Sequence, residues 1–411
     1  MKTLDDAERD LIRLAENATL PTETIPVEQA YGRTLAEELL APSDIPDAPR
    51  STMDGYAFLW SALATSFEVV GEVAAGASAP HPTKSAPDAA VRIFTGARLP
   101  SWADTVVMQE DVERRGECIK LRDRHTLPEQ GSNVRNKGAE VRQGAKVLTA
   151  GSALSPKHIA LLLQCDRTSV KVARSPRVAF VSTGNELRIA GDSPGDRDSI
   201  PECSMIPLSE MVRREGGTIV RQQIVRDDLE ATTLALTSLS ANCDVIFTLG
   251  GVSVGDHDYI KPALEACGAK TEFWKVAIKP GKPFLVATLP GPEGSRPTFV
   301  VGLPGNPVSS FVTMRFLGLP FLRALQARAA PLEIPYLLPL SAPYVHGLGR
   351  REFVRGSLGN DRVSVRPLPS QGSANVFSLA EADVFFEIRE DVASIDAGTL
   401  VRCWPVDRPN V

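Results

Sequence analysis

Basic charge is in short supply. Against 50 aspartates and glutamates stand 45 lysines and arginines, a net charge of −5 over 411 residues. A nucleic-acid partner needs a basic field to neutralise its phosphates, so nucleic acid is excluded as the main partner. Close cysteine pairs are lacking too. Cys118, Cys165, Cys203, Cys243, Cys267 and Cys403 form no C-x-x-C pair, which argues against a zinc site or a disulfide framework and for reduced thiols. Histidines are few and scattered; His257, between Asp256 and Asp258, reads as a surface loop residue. No window approaches the roughly 18 apolar residues of a membrane span. The opening stretch "MKTLDDAERDLIRLAENA" carries acids throughout and has no continuous apolar run, so it does not read as a signal peptide. A cytoplasmic protein with no membrane partner is expected. The chain is too long for one ordinary core, and roughly two to four domains are expected.

What is present is ordered along the chain. Leu4, Ala7, Leu11, Leu14, Ala15 and Ala18 fall at helical spacing, ending before Pro21. "TIPVEQAYGRTLAEEL" reads as a strand, a Gly turn and a short helix. "APSDIPDAPRSTMDGYA" is proline-broken and reads as a linker or extended crossing. From about 56 to 140, "FEVVGEV", "AAVRIFTGA", "DTVVMQEDVER" and "ECIKLR" suit a small β-rich domain. Residues 170–325 alternate instead. "RVAFVSTG", "TIVRQQIV" and "CDVIFTLGG" read as strands, and "MIPLSEMVRREGG", "LEATTLALTSLSA" and "YIKPALEACG" as helices. That is an α/β layer fold with a largely parallel sheet, whose ligands bind at strand carboxyl ends. The tail, 326–411, is β-like again ("EFVRGSL", "RVSVRPL", "VFFEIRE", "TLVRCWPV") and reads as a small β-barrel or curled sheet.

Five stretches carry candidate chemistry. "LGGVSVGDHDYIKP" (249–262) follows a buried strand pattern. It is either a tight turn, or a loop whose Gly250, Gly251 and Ser253 approach an anion while Asp256 and Asp258 hold Mg2+ through oxygen. "STGNEL" sets Glu186 just after a strand, as a ligand-facing acid or a helix N-terminal charge. "RSTMDGYA" holds Asp54 in an Asp-Gly pair that also suits a plain turn. "WKVAIKPGKPF" displays Lys275, Lys279 and Lys282 on a turn stiffened by prolines, which suits a doubly charged oxyanion or a solvated charge run. "GLPGNPVSS" contributes Pro304 and Pro307, as architecture or as a wall of the same pocket. No Ser-His-Asp order and no cysteine nucleophile setting is apparent. Acids, lysines and glycine loops are equipment for metal-assisted chemistry on phosphate or another oxyanion.

"STMDGYA", "FTGARLP…VVMQE", "STGNEL", "LGGVSVGDHDY", "WKVAIKPGKPF" and "GLPGNPVS", in that order, resemble the molybdopterin molybdenumtransferases, the MoeA-type enzymes similar to the gephyrin E-domain. The resemblance covers nearly the whole chain. It implies an α/β plus β multidomain fold: a molybdopterin-binding-like α/β domain over 1–21 and 172–324, and a small linker domain over 22–41 and 142–171. An inserted β-rich domain over 42–141 and a C-terminal β-barrel over 325–411 complete it. It implies a homodimer with the active site shared between subunits, and insertion of molybdate into adenylylated molybdopterin with Mg2+-dependent release of AMP. Molybdopterin adenylyltransferase and molybdoenzymes are the implied partners.

The resemblance also assigns residues. Asp256, Asp258, Glu186 and Asp227 would form the Mg2+ rim. Gly250, Gly251 and Ser253 would donate to phosphate. Lys275, Lys279 and Lys282 would gather molybdate and the dithiolene end. Arg350 and Ser373 match positions that contact molybdate. Asp54, Thr95, Arg135 and Glu140 match functional positions of the other lobe. Three departures stand out. Glu202, Cys203 and Ser204 replace an Asp/Asn-Ser/Thr-Asn run, Ala139 and Glu140 replace an acidic pair, and Asn185 replaces a common Asp. They leave a non-catalytic paralogue, acting as a scaffold or molybdopterin-binding protein, as the alternative. Adenylyl transfer onto molybdopterin is weaker, because the related enzymes of that step are a stand-alone α/β domain.

Overall fold

The alternating strand and helix patterns of residues 177–303 build one six-stranded sheet in the computed structural model, which describes residues 1–61, 65–77, 88–122, 128–192, 199–252, 258–291, 296–360 and 362–407. The strand order is Thr218–Val225, Arg177–Thr183, Val245–Leu249, Thr298–Leu303, Leu285–Leu289, Lys270–Trp274. The first four strands are parallel and the last two antiparallel. Val245–Leu249 is buried at every position, as a central parallel strand covered on both faces must be. Side chains alternate across the sheet. Val178, Phe180 and Phe247 face one cluster with Leu4, Ala7 and Leu11 of the N-terminal helix, and Ala179, Val181 and Ile246 face another with Leu236, Leu239 and Leu264. The helices Met205–Arg214, Leu229–Ser240 and Ile260–Ala266 fall where their spacing predicts. Thr3 caps the helix Leu4–Glu16, its hydroxyl accepting from Asp6 N–H at 3.1 Å.

Three details differ from expectation. The short helix expected after Gly32 does not form. The Leu35 and Ala36 N–H groups donate to Ser152 O and Lys171 O, both at 2.9 Å, so the backbone pairs across the chain instead of winding on itself. Second, Pro307–Leu325 is a continuous helix long and apolar enough, by length and composition, to cross a membrane, contrary to the expectation that no window qualifies. With 94% of its apolar window buried inside the fold, it is a core helix. Third, among the described residues the C-terminal strands form a curled sheet whose ends meet only through one bridge. Their sheet runs Ile278–Lys279, Arg351–Leu358, Val384–Ile388, Leu400–Pro405, Tyr336–Pro339, with Val365–Pro367 also on Arg351–Leu358. A single bridge, Leu340 to Val365, joins the ends of the curl.

The chain divides into two compact units. One comprises Met1–Glu37, Ala150–Ala160 and Arg167–Val411; the other comprises Glu38–Thr149 and Leu161–Asp166. The second unit is the β-rich one. Its sheet runs Thr105–Met108, Gly55–Phe58, Ala89–Ile93, Ser66–Val73, Cys118–Leu121, Val112–Arg115, antiparallel except between Ser66–Val73 and Ala89–Ile93. Phe58 and Phe67 anchor its core with ring centroids 4.4 Å apart.

Candidate active site

Four parallel strands end at one cleft of about 640 Å³. Arg177–Thr183 delivers Gly184 and Glu186; Thr218–Val225 delivers Asp227; Val245–Leu249 delivers Gly250 and Gly251; Thr298–Leu303 delivers Pro304, Gly305, Asn306 and Pro307. Asp258 lines the same cleft. This is where a parallel α/β sheet places ligands, beyond the carboxyl ends of its strands.

Local chemistry explains the arrangement. Gly250 and Gly251 adopt φ of 86° and 66°, the left-handed region open to glycine. A Cβ on Gly251 would come within 2.6 Å of Ile260 Cγ1. Gly250 differs from the expected phosphate donor, because its N–H donates to Leu303 O at 3.1 Å. Its contribution is the bend. Asp228 caps the helix Leu229–Ser240 by accepting from Ala231 N–H at 2.8 Å, which leaves the adjacent Asp227 to line the cleft. Asn185 steadies Asp227. Its N–H donates to Asp227 Oδ2 at 3.2 Å, and its Oδ1 accepts from Asp227 N–H at 3.2 Å. Glu186 folds back over Gly184, where a Cβ would stand 2.7 Å from its Oε2.

The Glu202-Cys203-Ser204 departure also has a structural account. Glu202 Oε1 accepts from Ser204 N–H at 2.9 Å and Met205 N–H at 3.1 Å, so its carboxylate holds the first turn of the helix Met205–Arg214. Cys203 lines the cleft beside it. Burial, then the Glu202 charge, pushes its thiol pKa up, away from the reactive thiolate.

Glu186, Glu202, Asp227 and Asp258 line the cleft, and among the described residues no lysine or arginine does. Among the described residues no three His, Cys, Asp or Glu side chains already converge as a metal cluster. The donors are carboxylate oxygens, which fit a hard ion such as Mg2+ whose remaining positions go to water and phosphate oxygens. Asp256 and Ser253 lie outside the described residues, as does His257.

Lys275, Lys279, Lys282 and Arg350 do not themselves line the cleft. Of the turn that carries Lys275, Lys279 and Lys282, Pro283 alone lines it. Lys275, at φ 70°, lies over the Trp274 ring at 3.8 Å, and Trp274 Nε1 donates to Val252 O at 2.9 Å. Lys261, which sequence reading passed over, stands over the same ring. Lys279 Nζ is 2.9 Å from Glu352 Oε1, Lys282 is exposed, and Arg350 is half-buried. Ser373 reaches the cleft edge, accepting from Asn306 Nδ2 at 2.9 Å through Oγ and from Val308 N–H at 3.0 Å through its carbonyl.

Arg355 is a second residue that sequence reading missed. It is fully buried and donates to Gly372 O at 3.1 Å and Asn375 O at 3.2 Å, tying down the loop that carries Ser373. The signal for it is an arginine inside an apolar strand pattern, "FVRG", where an unpaired charge would not be tolerated.

In the second unit, Asp54 Oδ1 accepts from Thr95 N–H and Thr95 Oγ1, both at 2.8 Å. The backbone bond from Thr95, then its hydroxyl, holds the Asp54 carboxyl below the usual carboxylate range. Gly55 is required by packing, since a Cβ there would meet Val107 O at 1.9 Å. Arg135 and Glu140 form an exposed ion pair at 2.8 Å.

Residues 2–165 match the MoeA N-terminal region (domain I and II), residues 179–324 a probable molybdopterin binding domain, and residues 338–406 the MoeA C-terminal region (domain IV). A molybdopterin molybdenumtransferase from Nostoc sp. is 36% identical over 345 residues, 82% of this chain and 77% of that protein. One from Haemophilus influenzae is 31% identical over 98% of both chains. The structure is similar to that of a molybdopterin biosynthesis MoeA protein from Pyrococcus horikoshii, with a TM-score of 0.79 and 29% identity over 99% of this chain and 100% of that one. A sheet whose strand ends gather this cleft, in a chain matched over almost its whole length, identifies it as a member of the molybdopterin molybdenumtransferase (MoeA) family.

Proposed function

We propose that this enzyme inserts molybdate into adenylylated molybdopterin and releases AMP, acting in the cytoplasm as a homodimer with the four-part domain plan given above. The observation that carries the proposal is the carboxylate-lined cleft at four strand ends, with a stiff lysine turn and Ser373 at its margin. In the overall reaction the two dithiolene sulfurs replace oxygens on molybdenum, which leave as water. Water adds across the pyrophosphate bond, giving AMP and the phosphate of the cofactor.

Glu186, Asp227 and Asp258 would hold Mg2+, with Asp256 alongside. When bound, Mg2+ neutralises charge on the pyrophosphate. The protein's own residues do the rest. Asn185 keeps the Asp227 carboxylate aimed at the cleft. The left-handed Gly250 and Gly251 bring the backbone close to the ligand. Lys275, Lys279, Lys282, Arg350 and Ser373 supply donors for the molybdate dianion, which one exposed lysine would hold by only ~0–1 kcal/mol. Pro280 and Pro283 limit the freedom such a turn would lose on binding. The test is AMP release by the purified protein from adenylylated molybdopterin with molybdate and Mg2+. Release that depends on both supports the proposal, and tight pterin binding with no release contradicts it.

A further inference from the structure

Two of the candidate molybdate contacts converge on one buried pair. Lys279 lies directly opposite Glu352 in a parallel bridge that joins the lysine turn to the C-terminal sheet. Glu352 is 2% exposed. Its Oε1 meets Lys279 Nζ at 2.9 Å and the Tyr344 hydroxyl at 3.4 Å, and its Oε2 meets His346 Nδ1 at 2.5 Å. The other ring nitrogen, Nε2, lies 2.9 Å from Arg350 O. His346 is itself buried, with its backbone N–H on Ala393 O at 2.7 Å. One histidine and one carboxylate therefore touch both Lys279 and the backbone of Arg350.

The protons can be counted. A carbonyl only accepts, so the bond to Arg350 O requires a hydrogen on Nε2. The 2.5 Å contact requires another between Nδ1 and Oε2, on one atom or the other. On whichever atom it rides, the His346–Glu352 pair is neutral as a unit. That matters for Lys279. A buried carboxylate matched by Lys279 alone would cancel the charge that an oxyanion needs. With His346 in place, the hydrogen bond to Glu352 holds the ammonium in position while its charge stays available. The Lys279 side chain is 38% exposed, so that charge faces solvent. Arg355, the other cation facing Glu352, is committed to the carbonyls of Gly372 and Asn375.

We propose that His346 and Glu352 are positioning residues that present Lys279 and Arg350 to an oxyanion, with His346 keeping the Lys279 charge uncancelled. The proposal rests on the reading of Lys279 as a molybdate contact given under the proposed function. The test uses the full-length protein and its variants His346→Gln, Glu352→Gln, the double variant, Lys279→Gln, and His346→Gln in the Lys279→Gln background. The molybdate concentration for half-maximal AMP release is read beside binding of the adenylylated pterin.

His346→Gln should raise the molybdate requirement by about tenfold, the scale of losing one charge-assisted contact. Pterin binding and the rate at saturating molybdate should change by less than about twofold. The double variant, neutral again at both positions, should return to within about threefold of wild type. His346→Gln should add nothing once Lys279 is already Gln. A purely structural role predicts the opposite pattern: pterin binding and maximal rate falling together, and a double variant worse than either single. That pattern overturns the proposal, as does a wild-type molybdate requirement for His346→Gln when Lys279→Gln raises it. An unchanged requirement for Lys279→Gln removes Lys279 from molybdate binding altogether, and the proposal fails with the reading beneath it. Should the buried variants fail to fold, Lys279→Arg against Lys279→Met decides. Arginine keeps both the charge and the Glu352 contact and should stay within about threefold of wild type, while methionine should lose about tenfold; equal losses in both overturn the proposal.

Discussion

Asn185 and Asp227 hold one another from the ends of neighbouring strands, each offering its backbone N–H to the other's side-chain oxygen at 3.2 Å. The amide keeps the acceptor that an aspartate would provide and omits its negative charge, in a cleft already lined by Glu186, Glu202, Asp227 and Asp258. Asn185→Ala removes the acceptor of the Asp227 N–H but keeps the backbone N–H that holds the carboxylate, so AMP formation should fall by only about three- to tenfold, the scale of one lost hydrogen bond. Asn185→Asp should keep the activity and lower the Mg2+ concentration needed for half-maximal rate. Mg2+ titrations of the two variants check both outcomes.

Asp258 lines the cleft at the far end of the glycine loop. Asp258→Asn is nearly isosteric and removes one charge. AMP release should fall by about 100-fold or more, as expected when several kcal/mol of charge stabilisation at a phosphoryl centre are lost. The thermal melting curve should match wild type. Wild-type turnover in the folded variant would remove Asp258 from the mechanism.

If the protein is a homodimer that shares its sites, a subunit carrying Asp54→Ala and one carrying Asp258→Asn should complement each other. One composite site in the mixed dimer would keep both carboxylates, and about half of the wild-type rate per dimer is the ceiling. Mixed dimers no more active than either parent would mean that each subunit uses its own Asp54.

Stability rests partly on a buried charge network. Arg323 bonds Glu215 at 2.5 Å and Glu333 at 2.7 Å, Arg328 bonds Glu215 at 2.5 Å, and Arg315 bonds Glu333 at 2.8 Å. Glu215→Ala strands Arg323 without its closest counter-ion and should cost about 3–5 kcal/mol in denaturant unfolding.

Glu8 provides a pH test. Burial, then the charge of Asp5, pushes its carboxyl pKa up from 4.5 to about 7. The folded protein therefore binds the proton more tightly than the unfolded chain. The stability linked to that proton is fully present below pH 4.5 and is lost as pH rises through 7. Glu8→Gln should match wild type near pH 4 and be more stable by about 1–3 kcal/mol near pH 8. A constant difference across that range would contradict the assignment.

Legibility in the sequence followed the range of the interactions. Strands such as Val245–Leu249 and helices such as Leu229–Ser240 are written in local spacing, and both formed where expected. Glu186, Asp258, Pro304 and Pro307 lie in the ordered motifs, Asp227 follows from the resemblance alone, and all five line one cleft. What escaped depends on distant partners. The helix expected after Gly32 lost to pairing with Ser152 and Lys171. The Gly250 N–H was taken by Leu303, more than fifty residues on. The Glu352 contact with Lys279 exists because a two-residue strand joins the C-terminal sheet, which no local pattern announces. Arg355 is the exception, since a charge inside an apolar strand can be noticed from the sequence.

The central claim is that cleavage of the pyrophosphate bond and molybdenum insertion are one reaction at this cleft. A single-turnover experiment tests it most directly: purified protein in excess over adenylylated molybdopterin, with molybdate and Mg2+, quenched over time, with AMP and pterin-bound molybdenum both counted. The account predicts equal amounts of the two at every time point, and no AMP when molybdate is omitted. AMP released freely without molybdate, or molybdenum bound to pterin with the pyrophosphate intact at the end of the reaction, would contradict it.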